Sequence, residues 1–443
     1  MIIRRNFKCA TCGHIVVTRT AVSNSDYQEF AFPCPHCGLE MRFGMNLLLR
    51  KRMEKLARRS PETPITQRMK SFAGQQHIKY VRLRNARPFR DHADAADVIT
   101  LDGENLIPLS PVPFSPYMAT LGVFEHMEDS LLFREHQGVR ALSAEKFFAE
   151  LGKLTTHFER KQWRLFDKEF QKLHLDLPVA TEADRVGALF TAAELNGRFF
   201  CKESDNIAQR VEQRIALATN TSASLVTDLV HYFQNDKKDE SLVRELWSIR
   251  ANWSKCYGFL APLFIMFYWD GKRASLDTFT LAQKRFDELK PFYVECFETF
   301  CRLSVIAAGV EGIVQNNVVG VPVSKGAMTL ADFDHTNNGA KSPILKNLVI
   351  GDLFAPFIDH NLRNGIGHHS AHYDVKKDAV EYTNESKKGR TSFQISYIHF
   401  CEKVVRLYAQ IEAVSLYAHW LRQLAVGIPW KPIQRSALGG IVR

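Results

Sequence analysis

The 443-residue chain lacks most of the features that identify a function directly. It has no Gly-rich phosphate loop of either nucleotide-binding type and no serine elbow, so nucleotide-driven and serine-hydrolase chemistry have no motif to rest on. Long apolar runs are missing too. The longest, Tyr257 to Trp269, is 13 residues and contains Pro262, too short to span a bilayer. No internal repeat or low-complexity block interrupts a composition of 45% apolar residues, which is ordinary for a globular protein. The chain starts basic and reaches its first cysteine pair at Cys9, so no signal peptide is expected. Of nine cysteines, Cys201, Cys256, Cys296, Cys301 and Cys401 are scattered through apolar helical pattern. They form no disulfide framework and read as buried thiols, so a reducing, cytoplasmic compartment is expected.

The other four cysteines are organised. Cys9-Ala10-Thr11-Cys12-Gly13 and Cys34-Pro35-His36-Cys37-Gly38 are two Cys-x2-Cys-Gly knuckles. Four thiolates supply the tetrahedral sulfur cage that Zn²⁺ favours in structural sites. Each following Gly permits the turn that points N–H groups at sulfur. Ile15 to Thr20 and Phe30 to Phe32 read as short strands between the knuckles, so residues 1–45 are expected to form a zinc ribbon with Zn²⁺ as a structural cofactor. The fragment Pro33 to Cys37 matches half of a zinc-deaminase signature, but no His-x-Glu precedes it. His14 and His36 read as exposed knuckle residues beside a complete four-cysteine set. A closed site of this kind staples a segment too small to bury a sufficient core.

Charge is uneven along the chain. Residues 1–90 hold 18 Lys and Arg against 5 Asp and Glu, a net of +13, while the remainder has 40 against 43. Asn46 to Arg59 reads as a short helix carrying Arg50, Lys51, Arg52, Lys55, Arg58 and Arg59. Lys79 to Arg84 alternates and includes Arg82 and Arg84, with Arg87 and Arg90 close behind. A basic arm with interleaved Tyr80 and Phe89 is the electrostatic footprint of a nucleic-acid binder. The bland alternative is a solvated arm docked on the acidic remainder.

The expected fold is mainly α: ribbon at 1–45, basic arm and Pro-rich linker at 46–120, central helical region at 121–270, helical bundle at 275–427 and a loose tail at 428–443. Periodicity predicts helices over Ala144–Leu173, Glu182–Phe200, Ile207–Phe233, Asp239–Trp269 (interrupted at Pro262), Ser275–Gly309 and Ile398–Leu424. Glu311 to Lys341 is expected to be a long connection, and Ile344–Leu362 a further apolar-periodic segment. Ala379–Thr383 and Thr391–Ser396 flank a turn-rich stretch and predict a β-hairpin. The central region carries no chemistry of its own.

The chemistry concentrates in Leu362-Arg363-Asn364-Gly365-Ile366-Gly367-His368-His369. Arg stays charged and its planar fork matches phosphate oxygens, while a reference imidazole exchanges protons near pH 6.5. The same spacing recurs at Arg87 to His92, inside a Pro-containing, aperiodic stretch where nothing rigid would hold it. Arg363-Asn364 followed by His368, between two helices, resembles the Arg-polar-x3-His signature of HEPN-superfamily ribonucleases. The resemblance covers roughly the last 150 residues. It implies a metal-independent endoribonuclease, with His368 as general acid/base, Arg363 on the phosphate and Asn364 as polar partner. It also implies a homodimer whose motifs form one composite site on RNA, and a toxin or anti-phage role with a trigger or antitoxin partner. Gly365 and Gly367 depart from a good helix by about 1 kcal/mol each, which places His368 at or beyond the helix end.

Two other readings use the same residues. His360, His368, His369, His372 and Asp374 have i,i+4-type spacings that could hold a metal in a hydrolase. A regulatory protein could equally use the ribbon to bind nucleic acid and the bundle only to dimerise.

Overall fold

The computed structural model describes residues 2–21, 27–46, 79–89, 97–102, 106–108, 144–173, 177–198, 202–268, 276, 279–281, 284–323, 326–386 and 389–428. In the N-terminal part, β1 (Ile2–Cys9) pairs antiparallel with β2 (Ile15–Ala21), and β3 (Tyr27–Pro33) with β4 (Glu40–Asn46). Each pair is joined by one Cys-x2-Cys knuckle, so the two knuckles face a common point.

The ribbon is larger than the sequence suggested. β5 (Lys79–Arg84) adds to β4, β6 (Ala86–Phe89) adds to β1, and β7 (Asp97–Asp102) runs parallel to β2. Further on, β8 (Leu106–Pro108) pairs antiparallel with β9 (Phe279–Leu281). Arg82 and Arg84 therefore lie on a strand paired with β4, past the expected boundary at 45. The alternation of Lys79 to Arg84 is the pattern of a half-buried strand. Asn85 alone joins β5 to β6, in the left-handed region at φ 52°. It carries the chain from the sheet β3-β4-β5 to the sheet β6-β1-β2-β7. Between them Phe7 stacks on Phe43 at 4.3 Å, and Phe30 and Phe32 close around the same ring. The expected helix at 46–59, with Arg50, Lys51, Arg52, Lys55, Arg58 and Arg59, lies outside the described residues.

The body is helical, as expected. α1 (Ala144–Glu159), α2 (Trp163–Phe170) and α3 (Glu182–Arg198) enclose a small core with Trp247. α4 (Lys202–Thr221) and α5 (Ala223–Gln234) replace the single helix expected over Ile207–Phe233. Ser222 breaks them with an extended backbone and caps α5 by accepting from Leu225 N. α6 (Lys238–Tyr268) runs without a break through Pro262, although a mid-helix proline costs ~3 kcal/mol or more. Leu260 and Leu263 on either side are fully buried, and that packing offsets the lost hydrogen bond.

α7 (Phe286–Asn316) forms the axis of the body, and Leu303–Ile313 is buried at every position. A helix apolar on all faces belongs inside a core, and α4, α6 and α12 (Tyr397–Val414) pack around it. One core runs from Val211 to Leu421, so the expected division near 270 does not divide the core. The expected connection 311–341 is instead the end of α7, the hairpin β10 (Gly320–Val323)–β11 (Gly326–Thr329) and α8 (Leu330–His335). Ile344–Leu362 is broken into α9 (Asn338–Lys346), α10 (Gly351–Phe354) and the start of α11 (His360–Gly367). β12 (His372–Asp374), β13 (Ala379–Ser386) and β14 (Gly389–Ser396) form the expected hairpin with one added strand. α13 (Leu416–Ala425) follows Ser415 and completes the body. Among the described residues no helix is long and apolar enough to cross a membrane.

Candidate functional site

The knuckles build a four-sulfur cluster. Gly13 and Gly38 adopt φ 77° and 73°, and their N–H groups donate to the Cys9 and Cys34 carbonyl oxygens at 3.0 and 2.9 Å. The four Sγ atoms of Cys9, Cys12, Cys34 and Cys37 all lie within 4.8 Å of one another. Cys9–Cys37 and Cys12–Cys34 are 3.8 and 3.7 Å apart. A tetrahedron with Zn–S bonds of about 2.3 Å has edges of about 3.8 Å, so the residues present fit zinc. Burial pushes the Cys9 thiol up, but N–H groups of Cys12 and Thr11 more than reverse this and hold it at about 6. Burial raises Cys34 to about 12. Adjacent thiols without a cation resist sharing a second negative charge, and a divalent ion removes that conflict.

Sequence reasoning missed Asn85. Its Oδ1 accepts from Thr11 Oγ1 at 2.8 Å and lies 3.6 Å from Cys9 Sγ, while its carbonyl accepts from Ala10 N. An Asn before a short strand is the signal that was available, since Asn tolerates the left-handed region. His14 and His36 stack at 5.6 Å and stand outside the sulfur set.

The Arg363–His368 segment occupies α11, a helix of eight residues fastened at both ends. Asp359 caps it, accepting from Leu362 N, and is held by Lys403 Nζ at 2.9 Å. At the other end His369 takes φ 57°. Its N–H donates to Ile366 O, and Ser370 N donates to Gly365 O. This is a Schellman ending with His368 at the C-cap, so the imidazole sits at the helix end and is exposed.

Both glycines have a place in this arrangement. A Cβ on Gly365 would come within 2.8 Å of Tyr382 Cβ, so the helix can approach β13 this closely only with Gly there. Gly367 lies beside the Arg363 guanidinium, its would-be Cβ 3.6 Å from Nη1. Arg363 therefore folds along the helix toward the residue preceding His368.

Glu298 of α7 sets that direction. Arg363 Nε and Nη2 reach Glu298 Oε1 at 2.6 and 2.5 Å, Nη1 donates to Asn364 Oδ1 at 3.4 Å, and Asn338 Nδ2 donates to Glu298 Oε2 at 3.0 Å. Glu298 and Asn338 were not singled out in the sequence, because 65 residues separate the carboxylate from its arginine. The structure thus joins Arg363 and Asn364 by a hydrogen bond and places His368 one turn on. Arg84 lies on β5 of the ribbon and not among these residues.

The five residues of the metal-hydrolase reading do not converge. Among the described residues the only set of three or more metal-capable side chains within reach of one ion is the four cysteines. α11 ends before His372, so the expected i,i+4 face of His368 and His372 does not exist. His372 opens β12 opposite Glu381, His360 rests on Gly339, and Asp374 accepts from the Lys376 and Lys377 N–H groups of a turn.

The hairpin beneath α11 is anchored to the segment that precedes α7 and to the ribbon. Asp378, at φ 48°, accepts from Tyr373 OH at 2.7 Å, from Lys284 Nζ at 2.5 Å and from Thr280. Burial lowers Lys284 although Asp378 opposes the shift. Arg285 binds Glu29 of β3 at 3.2 Å, Glu29 binds Arg42, and Gly38 of the second knuckle lies against the Lys376 stem.

The N-terminal part is thus a four-cysteine metal-binding ribbon set against a helical body. No protein-family model matches the chain, and neither does any curated protein or any solved structure.

Proposed function

We propose that the protein is a metal-independent endoribonuclease of HEPN type, acting as a homodimer, with Arg363, Asn364 and His368 as its working residues. The observation that carries this reading is the ending of α11. An arginine is drawn along the helix by Glu298 to lie beside Gly367, and an exposed imidazole follows at the C-cap.

In the proposed reaction His368 removes the 2′-OH proton, and the 2′-oxygen attacks the adjacent phosphorus. The guanidinium of Arg363 offsets charge on the pentacoordinate transition state. The P–O5′ bond breaks, leaving a 2′,3′-cyclic phosphate and a 5′-oxygen that must take up a proton. One imidazole per chain supplies one such group. A twofold pair supplies the second without further residues, and closed twofold pairs are the commonest oligomers. The ribbon metal is structural in this scheme, since a closed four-sulfur shell has no open position. A toxin or anti-phage role is the setting in which such a nuclease fits.

The test is incubation of RNA with the natural chain and with His368→Ala in EDTA, with end mapping. Cyclic phosphate and 5′-hydroxyl ends from the natural chain alone are expected. RNA bound but intact would replace this proposal with that of a binding-only regulator.

A further inference from the structure

We propose that the outer edge of β14 is the surface through which two copies of this chain pair. The second copy adds antiparallel to the edge with Phe393 at the twofold axis, so that two three-stranded sheets become one of six strands. The inference rests on the reading of Arg363 and His368 as parts of a composite site, and it names the interface that completes that site.

The edge is open and regular. The sheet runs β12-β13-β14, and among the described residues no strand pairs with the far side of β14. β14 follows β13 in unbroken register from Ser396 opposite Ala379 to Gly389 opposite Ser386, without a bulge, and contains no proline. Natural edges are commonly blunted by such devices or by charge, yet Arg390 is the one charged residue of this strand. Thr383 shows which groups face outward. Its N–H donates to Ser370 Oγ at 3.4 Å and its carbonyl accepts from the same hydroxyl at 2.6 Å, on the β12 side of β13. Thr383 and the opposite Ser392 are thus a non-hydrogen-bonded pair. Alternation then turns the backbone N–H and C=O groups of Arg390, Ser392 and Gln394 toward the open edge.

Those groups limit how a second copy can pair. A register centred on Phe393 uses them, setting Ser392 of each copy opposite Gln394 of the other. It places Phe393 against its own copy and Thr391 against Ile395, pairings that suit a sheet. Arg390 faces Ser396, so no like charges meet. Phe393 is half-buried and stacks on Tyr382 at 5.2 Å and 13°, and the second copy covers its other side. Thr391 is exposed on the same face, so the body leaves this approach open.

The axis stands perpendicular to the sheet, which keeps equivalent faces on one side. α11 lies on the face shared by Tyr382 and Asn384. Gly365 is set against Tyr382, and Asn384 Nδ2 donates to Asn361 Oδ1 at 2.8 Å. Tyr382 is directly opposite Phe393, so α11 meets the sheet one strand from the axis. The two β13 strands would be about 14 Å apart, three strand spacings, against a helix diameter of about 10–12 Å. Two copies of α11 then stand side by side, and each His368 gains a second imidazole across the axis.

The experiment is light scattering and sedimentation of the full, zinc-loaded chain, with RNA cleavage measured on the same samples. The natural chain should have the mass of two 50.6 kDa chains at micromolar concentration. Gln394→Pro removes an outward N–H and spares the ladder to β13, a change that edge strands tolerate. That variant and the double variant Ser392→Lys, Gln394→Lys should each raise the dissociation constant about tenfold or more. Zinc content and circular dichroism should stay unchanged. Ser392→Lys combined with Gln394→Glu should restore the dimer, because each lysine then faces the other copy's carboxylate. Cleavage should fall and return with the dimer. A monomeric natural chain would overturn the proposal, as would a dimer indifferent to Gln394→Pro and to the double lysine variant. So would a lysine–carboxylate variant that stays monomeric, or monomeric variants that cleave at the natural rate. Failure of the nuclease reading looks different: the chain pairs through β14 as described and leaves RNA uncut.

Discussion

In the helical body several surface cations stand against carboxylates. Arg244 meets Glu159, Arg210 meets Asp352, Lys290 meets Asp287 and Lys403 meets Asp359, all within 2.9 Å. In the ribbon Arg5, Lys8, Arg19, Arg84 and Arg87 are exposed with no such partner among the described residues. The two regions also cohere differently. The body buries one core around α7, whereas the ribbon closes a few phenylalanines between two small sheets and adds a four-sulfur site. Surface ion pairs contribute little to stability, so the body is held by its core and not by these pairs.

The largest effect that would sharpen this contrast is metal removal. Each chain should bind one Zn²⁺, and Cys34→Ser should abolish that binding. The ribbon should unfold while the body keeps its own melting transition, because structural zinc contributes on the order of 10 kcal/mol to small domains. Limited proteolysis and zinc titration check both halves. A single transition lost by the whole chain would break the comparison. Short-RNA cleavage should survive stripping, and cleavage lost and then restored by metal would revive a metal-dependent mechanism.

Inside the body the sensitive charge is buried. Arg250 and Glu412 are each 1% exposed and joined at 2.8 to 3.1 Å. Glu412→Ala should cost about 3–5 kcal/mol in denaturant unfolding, since it strands a buried guanidinium. Adding Arg250→Met should recover much of that loss. A next step down in free energy is catalytic. Under the proposed function, His368→Ala should lower RNA cleavage at least ~100-fold with the melting midpoint unchanged, and excess mutant chain should poison cleavage by the natural chain if two motifs share one site. Full activity in the mutant would sink the mechanism.

The smallest effect is at the paired surface. Arg244→Ala should change stability by less than about 1 kcal/mol and leave RNA binding alone. Lys8→Gln should likewise leave the melting midpoint in place but weaken RNA binding. If Arg244 proved the better RNA ligand, the division of charge between the two regions would have no functional meaning.

Much of this organisation was legible in the residues, because it depends on local pattern. Two Cys-x2-Cys-Gly knuckles specify their own turns through Gly13 and Gly38, and the hairpin and most long helices follow from period-two and 3.6-residue alternation. The ending of α11 at His368 also followed from Gly365 and Gly367. What only the tertiary structure decided depends on contacts between distant segments. Packing on both sides carries α6 through Pro262, and one core has members on both sides of the expected boundary near 270. Strand pairing turns Arg82 and Arg84 into part of the ribbon. Glu298 becomes the partner of Arg363, and His372 is removed from the face of His368. A side chain's neighbours along the chain are set by covalent geometry. Its neighbours across 65 residues are set by which surfaces the core forces together, and no local pattern records them.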